Sequence, residues 1–72
     1  MKTYKVWGIH GEVIGEFYSM EEAIEFINEH KWPVKEVIDT ENAYVKKIRT
    51  TCGFNDGKED KFVIDYKVII KG

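Results

Sequence analysis

The stretch SMEEAIEFINEHK, residues 19–31, decides the fold, because its apolar residues recur at helical spacing while those before and after it alternate as in strands. Ser19 suits the N-cap position, and Glu22 three residues later completes a capping box. The helix ends before Trp32-Pro33, since a residue that precedes proline is driven out of the helical region. One side of the predicted helix is apolar and consists of Met20, Ala23, Ile24 and Ile27, with Phe26 and His30 at its margin. Such a side must pack on an apolar surface.

Length and composition indicate one small folded domain. The 72 residues are 43% hydrophobic and 14% aromatic, which argues against intrinsic disorder. A chain of this size buries only about 60% of its surface and has little room for a large enclosed active site. Cys52 is the single cysteine, so an internal disulfide and a cysteine-based zinc site are excluded and a reducing, cytoplasmic compartment is expected. The sequence has neither a run of about 18 apolar residues nor a signal-peptide pattern, so membrane insertion and secretion are not expected.

The formal charge of −2 is distributed unevenly along the chain. Residues 1–42 carry 4 basic and 9 acidic side chains, whereas residues 43–72 carry 7 basic and 4 acidic ones. This asymmetry fits a surface for nucleic acid or another acidic partner, or simply one acidic helix beside ordinary solvated lysines. We favour the second interpretation.

Residues 3–18 are predicted to form a β-hairpin around a two-residue turn at His10-Gly11, where glycine supplies a positive φ. The register that follows pairs Tyr4 with Phe17, Lys5 with Glu16 and Trp7 with Ile14. One face is then predicted to lie under the helix, with the two glycines allowing the helix to approach; it consists of Tyr4, Val6, Gly8, Val13, Gly15 and Phe17. The opposite face places apolar side chains in water, and these are Trp7, Ile9 and Ile14.

A second hairpin is predicted from residues 43–52 and 61–71, around Asn55-Asp56-Gly57. The apolar alternation that marks its core face runs through Phe62, Ile64, Tyr66, Val68 and Ile70. A two-residue loop would bury Lys47 and Arg49, so a three-residue loop is preferred. That loop pairs Ile48 with Ile64, Tyr44 with Val68 and, on the outside, Lys47 with Asp65. A short helix over residues 42–48 is the competing prediction, although the β-branched residues there favour a strand.

The fold class that follows is α+β. We expect a two-layer domain with one mostly antiparallel sheet of four or five strands, covered on one face by a single α-helix, in the order ββα(β)ββ. The bracketed strand is residues 34–39, which are predicted to form either a short edge strand or an extended connection. The stretch FYSMEEAI, residues 17–24, resembles the opening of many small bacterial and phage domains, and this resemblance concerns folding rather than function.

Residue types typical of enzymes and metal sites do not form a pattern in this chain. His10 and His30 have no third metal ligand at a recognisable spacing, and Cys52 is predicted to be a buried apolar group rather than a nucleophile. The glutamates of the helix are expected to be hydrated. We therefore predict a protein that is not an enzyme, with no catalytic residue, no cofactor, no metal and no small-molecule substrate.

Two surfaces remain as candidates. The leading one is a protein-binding surface on the outer sheet face, for a protein partner or for a second copy in a homodimer, and its residues are Trp7, Ile9, Ile14 and Tyr18. The alternative is a nucleic-acid surface on the basic second hairpin, formed by Lys47, Arg49, Lys61, Lys67 and Lys71. Against the alternative stand the acidic total charge and the carboxylates of Glu12 and Glu16 on the same face.

Overall fold

The described part of the chain folds into a five-stranded antiparallel sheet and one α-helix, which confirms the predicted α+β class. The structure is a computed structural model that describes residues 1–54 and 60–72. Its elements are β1 (Thr3–Trp7), β2 (Val13–Phe17), α1 (Met20–His30), β3 (Val34–Asp39), β4 (Val45–Phe54) and β5 (Asp60–Lys71). The strand order is β2-β1-β5-β4-β3, so β5 lies at the centre and joins the two hairpins. Among the described residues, no helix is long and apolar enough to cross a membrane.

The start of α1 is capped by its own sequence. Ser19 has an extended backbone, and its hydroxyl oxygen accepts a hydrogen bond from the Glu22 N–H at 3.1 Å. The Glu22 carboxylate accepts in turn from the backbone N–H of Tyr18 at 3.3 Å, one residue before the position of the predicted capping box. After the helix, the Asn28 side-chain oxygen accepts from the Val34 N–H at 3.0 Å and so ties the beginning of β3 to the last turns of α1.

The core lies between α1 and one face of the sheet. The core cluster contains Val6, Ala23, Ile27, Ile48 and Val68, all 0% exposed, and Tyr66 at 6%. Cys52 is also buried, at 5% exposure. The helical and strand periodicities therefore identify the buried side of α1, β4 and β5 correctly. Phe62 is the exception: it is expected in the core, but it lies opposite Cys52 near the end of the β4–β5 ladder and is 57% exposed. Cys52 is buried, which fits the apolar role expected of it.

The turn between β1 and β2 is one residue longer than predicted. The Gly11 N–H donates to the Gly8 carbonyl at 3.1 Å and the Gly8 N–H donates to the Glu12 carbonyl at 2.7 Å, which leaves three residues in the loop. Gly11 has φ of 81°, the left-handed value that ends this type of turn. Its positive φ confirms the reason for a glycine, while the two-residue turn is wrong.

A β-bulge compensates for the longer turn. Trp7 pairs with Val13, and Val6 already pairs with Gly15, so Ile14 is an extra residue on β2. Beyond the bulge the predicted register is restored, with Lys5 opposite Glu16 and Tyr4 opposite Phe17.

The bulge exchanges the faces of two neighbouring side chains. Val13 lies opposite Trp7 and is 47% exposed, whereas Ile14 packs against the core. The predicted pairing of Trp7 with Ile14 and the predicted faces of Val13 and Ile14 are therefore wrong. Gly8 was also placed under the helix; instead it belongs to the turn, where a Cβ would meet the Glu12 carboxylate.

The register of β4 and β5 differs by two residues from the predicted one. Ile48 pairs with Tyr66, not with Ile64, and Lys46 pairs with Val68. On the outer side Lys47 pairs with Lys67, so its predicted pairing with Asp65 is wrong. A shift of two residues keeps every side chain on its face, which is why the core prediction survives it. The predicted loop at residues 55–57 lies outside the described residues.

Two alternatives remained for residues 34–48: an edge strand or an extended connection at residues 34–39, and a strand or a short helix at residues 42–48. The structure has strands in both places. Residues 34–39 form the edge strand β3, paired with β4. Before β4, the Asn42 side-chain oxygen accepts from the Tyr44 N–H at 2.9 Å, and the Asn42 carbonyl accepts from the Val45 N–H at 3.0 Å. These bonds form a turn that leads directly into a strand at Val45, so the competing short helix is wrong.

Candidate binding surface

The side of the sheet that faces away from α1 is called the outer sheet face here. Within the described chain, no element covers this face in the way that α1 covers the core side. Its partly buried apolar side chains are Trp7, Ile38, Val45 and Ile69. Val13 and Val63 on the same face are 47% and 55% exposed. Val13 adjoins Trp7 and Val45 adjoins Ile69, and apolar side chains grouped on an uncovered face are typical of a surface that contacts another molecule.

A continuous row of side chains crosses all five strands of this face. Consecutive cross-strand pairs connect its members, and in spatial order they are Val13, Trp7, Lys67, Lys47 and Ile38. We call these five residues the central row. Directly opposite residues have Cβ atoms about 5 Å apart, so the row is a compact strip with apolar groups at both ends and two ammonium groups in the middle.

The two lysines of the central row face each other. Lys47 and Lys67 are a directly opposed pair, and both side chains are exposed. Like charges in this position destabilise a sheet. Within residues 1–54 and 60–72, no carboxylate lies within ion-pair distance of either ammonium group. The two ammonium groups at the centre of the outer sheet face therefore make no ion pair within the described chain, and Asp65 attracts Lys47 only from the neighbouring row.

Arg49 stands beside this pair, and two carboxylates hold it. Its Nε donates to Asp65 Oδ1 at 3.0 Å and one terminal nitrogen donates to Asp65 Oδ2 at 3.2 Å, while the other lies 3.4 Å from Glu36 Oε1. The hydrogen bond from Arg49 lowers the pKa of Asp65, and the attraction of Arg49 and of Lys47 adds to it against the opposing effect of burial. The contact with Asp65 also raises the pKa of Arg49. Arg49 is thus engaged within the domain.

Replacing Asp65 with asparagine is expected to weaken the pH dependence of stability. A carboxyl whose pKa is lowered by folding stabilises the native state above its unfolded pKa of about 3.9, and this contribution is lost as the pH falls through the folded-state pKa. The wild type should therefore lose stability on acidification more steeply than Asp65→Asn, with the two curves converging in acid. Urea midpoints measured from about pH 7 down to about pH 2 would check this.

Glu25→Gln is the matched control, because it removes an exposed helix carboxylate that makes no ion pair with any described residue. Its curve should run parallel to that of the wild type. If Asp65→Asn also runs parallel, the hydrogen bonds between Arg49 and Asp65 do not persist in solution.

The indole of Trp7 contains an unusual polar atom. Within the described chain, its Nε1 is the buried side-chain nitrogen or oxygen that has no hydrogen-bond partner. Leaving a buried donor unsatisfied costs about 1 to 3 kcal/mol. The unpaired indole N–H of Trp7 therefore lowers the stability of the folded domain, and so does the repulsion between the opposed lysines.

The four residues predicted as a protein-binding surface do not come together. Trp7 lies in the central row, and Ile9 is in the adjoining turn, 62% exposed. Ile14 packs on the core side instead. Tyr18 is 61% exposed but follows the far end of β2, about 15 Å along an extended strand from the central row. The structure joins Trp7 to Val13 rather than to Ile14 or Tyr18.

The predicted nucleic-acid surface is only partly assembled. Lys47 and Lys67 lie side by side, and Lys71 ends the same strand opposite Thr3. Arg49 is held by Asp65 and Glu36, so the strongest phosphate ligand of the set is already occupied. The side chain of Lys61 lies outside the described residues.

Several apolar residues of the outer sheet face are missing from the surfaces predicted from the sequence. Neither predicted surface includes Ile38, Val45 or Ile69, although the strand alternation contains the signal for Ile69. Since the alternation predicts that the even-numbered residues of β5 face the core, it also predicts that Ile69 faces outward. Ile38 needed knowledge that residues 34–39 form a strand.

Comparison with protein-family models, curated proteins and solved structures finds no match to this chain. Within the described residues, no group of three or more histidine, cysteine or acidic side chains is arranged to hold a metal ion. A cavity of about 480 Å³ opens on the helix side between Tyr4, Met20 and Tyr44, where the ammonium of Lys46 binds Asp39. The sheet separates this cavity from the outer sheet face.

Proposed function

We propose that this domain is a non-enzymatic protein-binding module that acts in the cytoplasm and contacts its partner through the outer sheet face. The observation that carries the proposal is the central row, in which exposed and partly buried apolar groups flank two ammonium groups on a face that α1 does not cover. An open sheet offers an extended surface for another macromolecule rather than a cleft that encloses a small substrate.

Two features of the outer sheet face support the proposal that its residues serve binding rather than stability. The opposed pair of Lys47 and Lys67 and the unpartnered indole N–H of Trp7 each cost folding free energy. Residues that reduce stability without serving the core are typical of surfaces used for function. A partner that covers the face would bury the apolar ends of the row and recover stability through binding.

The test uses two valines in edge strands on opposite faces of the sheet. Val13 on β2 belongs to the outer sheet face and is 47% exposed, while Val37 on β3 lies opposite Ile48 on the core side and is 38% exposed. Proteins captured from cell lysate by the immobilised wild type would be identified by mass spectrometry. Each candidate would then be purified, and its dissociation constant for the wild type, Val13→Ser and Val37→Ser measured.

We expect Val13→Ser to weaken binding of a specific partner at least about tenfold, because it removes an apolar contact and places an unpaired hydroxyl in the interface, while Val37→Ser leaves binding nearly unchanged. Circular dichroism spectra of both variants would establish that they remain folded. Equal affinities for the two variants would refute the outer sheet face as the binding surface.

A further inference from the structure

Resting on the proposed function, we propose that the partner is an acidic protein segment whose carboxylates lie over Lys47 and Lys67, and that it is not a second copy of this chain. The central row places the two ammonium groups side by side in the middle of the face, with no carboxylate of the described residues within ion-pair distance of them. A carboxylate bound between them would relieve their repulsion.

The surroundings of the lysine pair fit carboxylates flanked by apolar side chains. Trp7 adjoins Lys67 on one side and Ile38 adjoins Lys47 on the other, so a segment that crosses the row meets an apolar group, two cations and another apolar group. Complementary charge at the centre of a surface guides partner choice and excludes partners of the same sign.

A second copy of the chain fits this face poorly. In a twofold dimer centred on the lysine pair, Lys47 and Lys67 of one copy would lie against the same residues of the other. Four ammonium groups would then be desolvated together, and the carboxylates of Asp65 and Glu36 are already bound to Arg49. The charge pattern therefore favours a different, acidic partner.

The phosphates of a nucleic acid would pair with the two lysines, but the other charged groups of the outer sheet face fit a nucleic acid poorly. Arg49 is committed to two carboxylates, and Glu16, Glu36 and Asp65 would all lie near a phosphate backbone. The same carboxylates are tolerable beside a protein segment, which presents separate charges instead of a continuous negative backbone. Binding to nucleic acid is accordingly an outcome of the test below.

The test titrates the full 72-residue chain with poly-L-glutamate as a carboxylate probe and follows amide and indole resonances by NMR. We expect shifts at Trp7, Lys47 and Lys67, an affinity that falls as salt is raised, and no such shifts with poly-L-lysine. Lys67→Glu should weaken binding at least about tenfold, because a central attraction becomes a repulsion. Lys2→Glu makes the same charge change at an exposed residue away from this face and should change the affinity less than about twofold.

Lys67→Glu is a suitable variant because it should remain folded, since the new carboxylate would lie directly opposite Lys47. The proposal is overturned if the shifts avoid the central row or if Lys67→Glu and Lys2→Glu behave alike. Tighter binding of oligothymidylate at the same residues would overturn it in favour of nucleic acid. Self-association that Lys67→Glu changes, measured by sedimentation across a dilution series, would overturn it in favour of a second copy.

The two proposals fail in different ways. If Val13→Ser abolishes capture of a partner while Lys67→Glu has no effect on that partner or on poly-L-glutamate, the binding surface is correct and the acidic character of the partner is wrong. If Val13→Ser and Val37→Ser bind the partner equally, the surface itself is wrong, whatever poly-L-glutamate does.

Discussion

Replacing Ile27 with alanine is expected to lower the free energy of unfolding by about 2 to 5 kcal/mol, the usual range for a large apolar side chain removed from a core. Ile27 is 0% exposed and packs within the buried cluster between α1 and the sheet. A chain of this length has a total stability of roughly 4 to 11 kcal/mol. The loss would therefore remove a large part of it, because α1 is the one helix over the core in the part of the chain that the structure describes.

Urea denaturation followed by circular dichroism would measure this loss. Ile27→Val should cost only about 0.5 to 1.5 kcal/mol, since it removes a single methylene. Val63→Ala, at a position 55% exposed on the outer sheet face, should change stability by less than about 0.5 kcal/mol. If Ile27→Ala costs no more than Val63→Ala, α1 does not pack on the sheet as described.

Replacing Gly11 with valine is expected to destabilise the domain by about 1 to 2 kcal/mol through the backbone alone. Gly11 has φ of 81°, and a Cβ added there would meet no atom within 4 Å. Overlap with other parts of the domain is thus absent, and the cost comes from the left-handed conformation, in which Cβ crowds the adjacent backbone and which β-branched residues avoid most strongly. This turn determines that Trp7 pairs with Val13, so the substitution also disturbs one end of the central row.

Gly11→Asn is the matched control, because asparagine tolerates the left-handed region and should cost clearly less than valine. Urea midpoints would rank the three proteins, and NMR contacts between Trp7 and Val13 would report the register. Equal stability of Gly11→Val and the wild type would mean that the turn adopts another conformation in solution.

Local chemical signals account for the parts of the fold that sequence reasoning predicts. The helix is marked by Ser19 and by its apolar side, and the core face of β5 is marked by an unbroken alternation. Both signals depend on the period of one element and require no knowledge of its partner. The buried residues Ala23, Ile27, Tyr66 and Val68 follow from them directly.

Pairing between strands is where sequence reasoning fails. The residues around Ile14 carry no signal that it is an extra residue in β2, because the bulge compensates for a longer turn at residues 9–11, which ends three residues earlier in the chain. A local alternation rule therefore exchanges Val13 and Ile14. In the second hairpin a two-residue slip leaves the core unchanged but replaces the expected contact of Lys47 with Asp65 by one with Lys67.

The same errors in strand pairing limit how well the candidate surface is predicted. The outward direction of Trp7 is predicted correctly, because the extra residue lies on β2 and β1 keeps its alternation along β5. The central row as a whole could not be predicted, because it joins one residue from each of five strands and requires every register to be known. The face on which a residue lies follows from the periodicity of its own strand, whereas its neighbours on adjacent strands do not.

The alternation in β4 and β5 has an evolutionary consequence. Successive positions serve different purposes, with Ile48 and Tyr66 facing the core while Lys47 and Lys67 face outward. Mutations at the outward positions can accumulate without disturbing the positions that hold α1 in place. The same backbone could therefore acquire new recognition specificities by drift and selection on one side of its strands. A combinatorial library restricted to the outward positions would be a practical starting point for engineered binders.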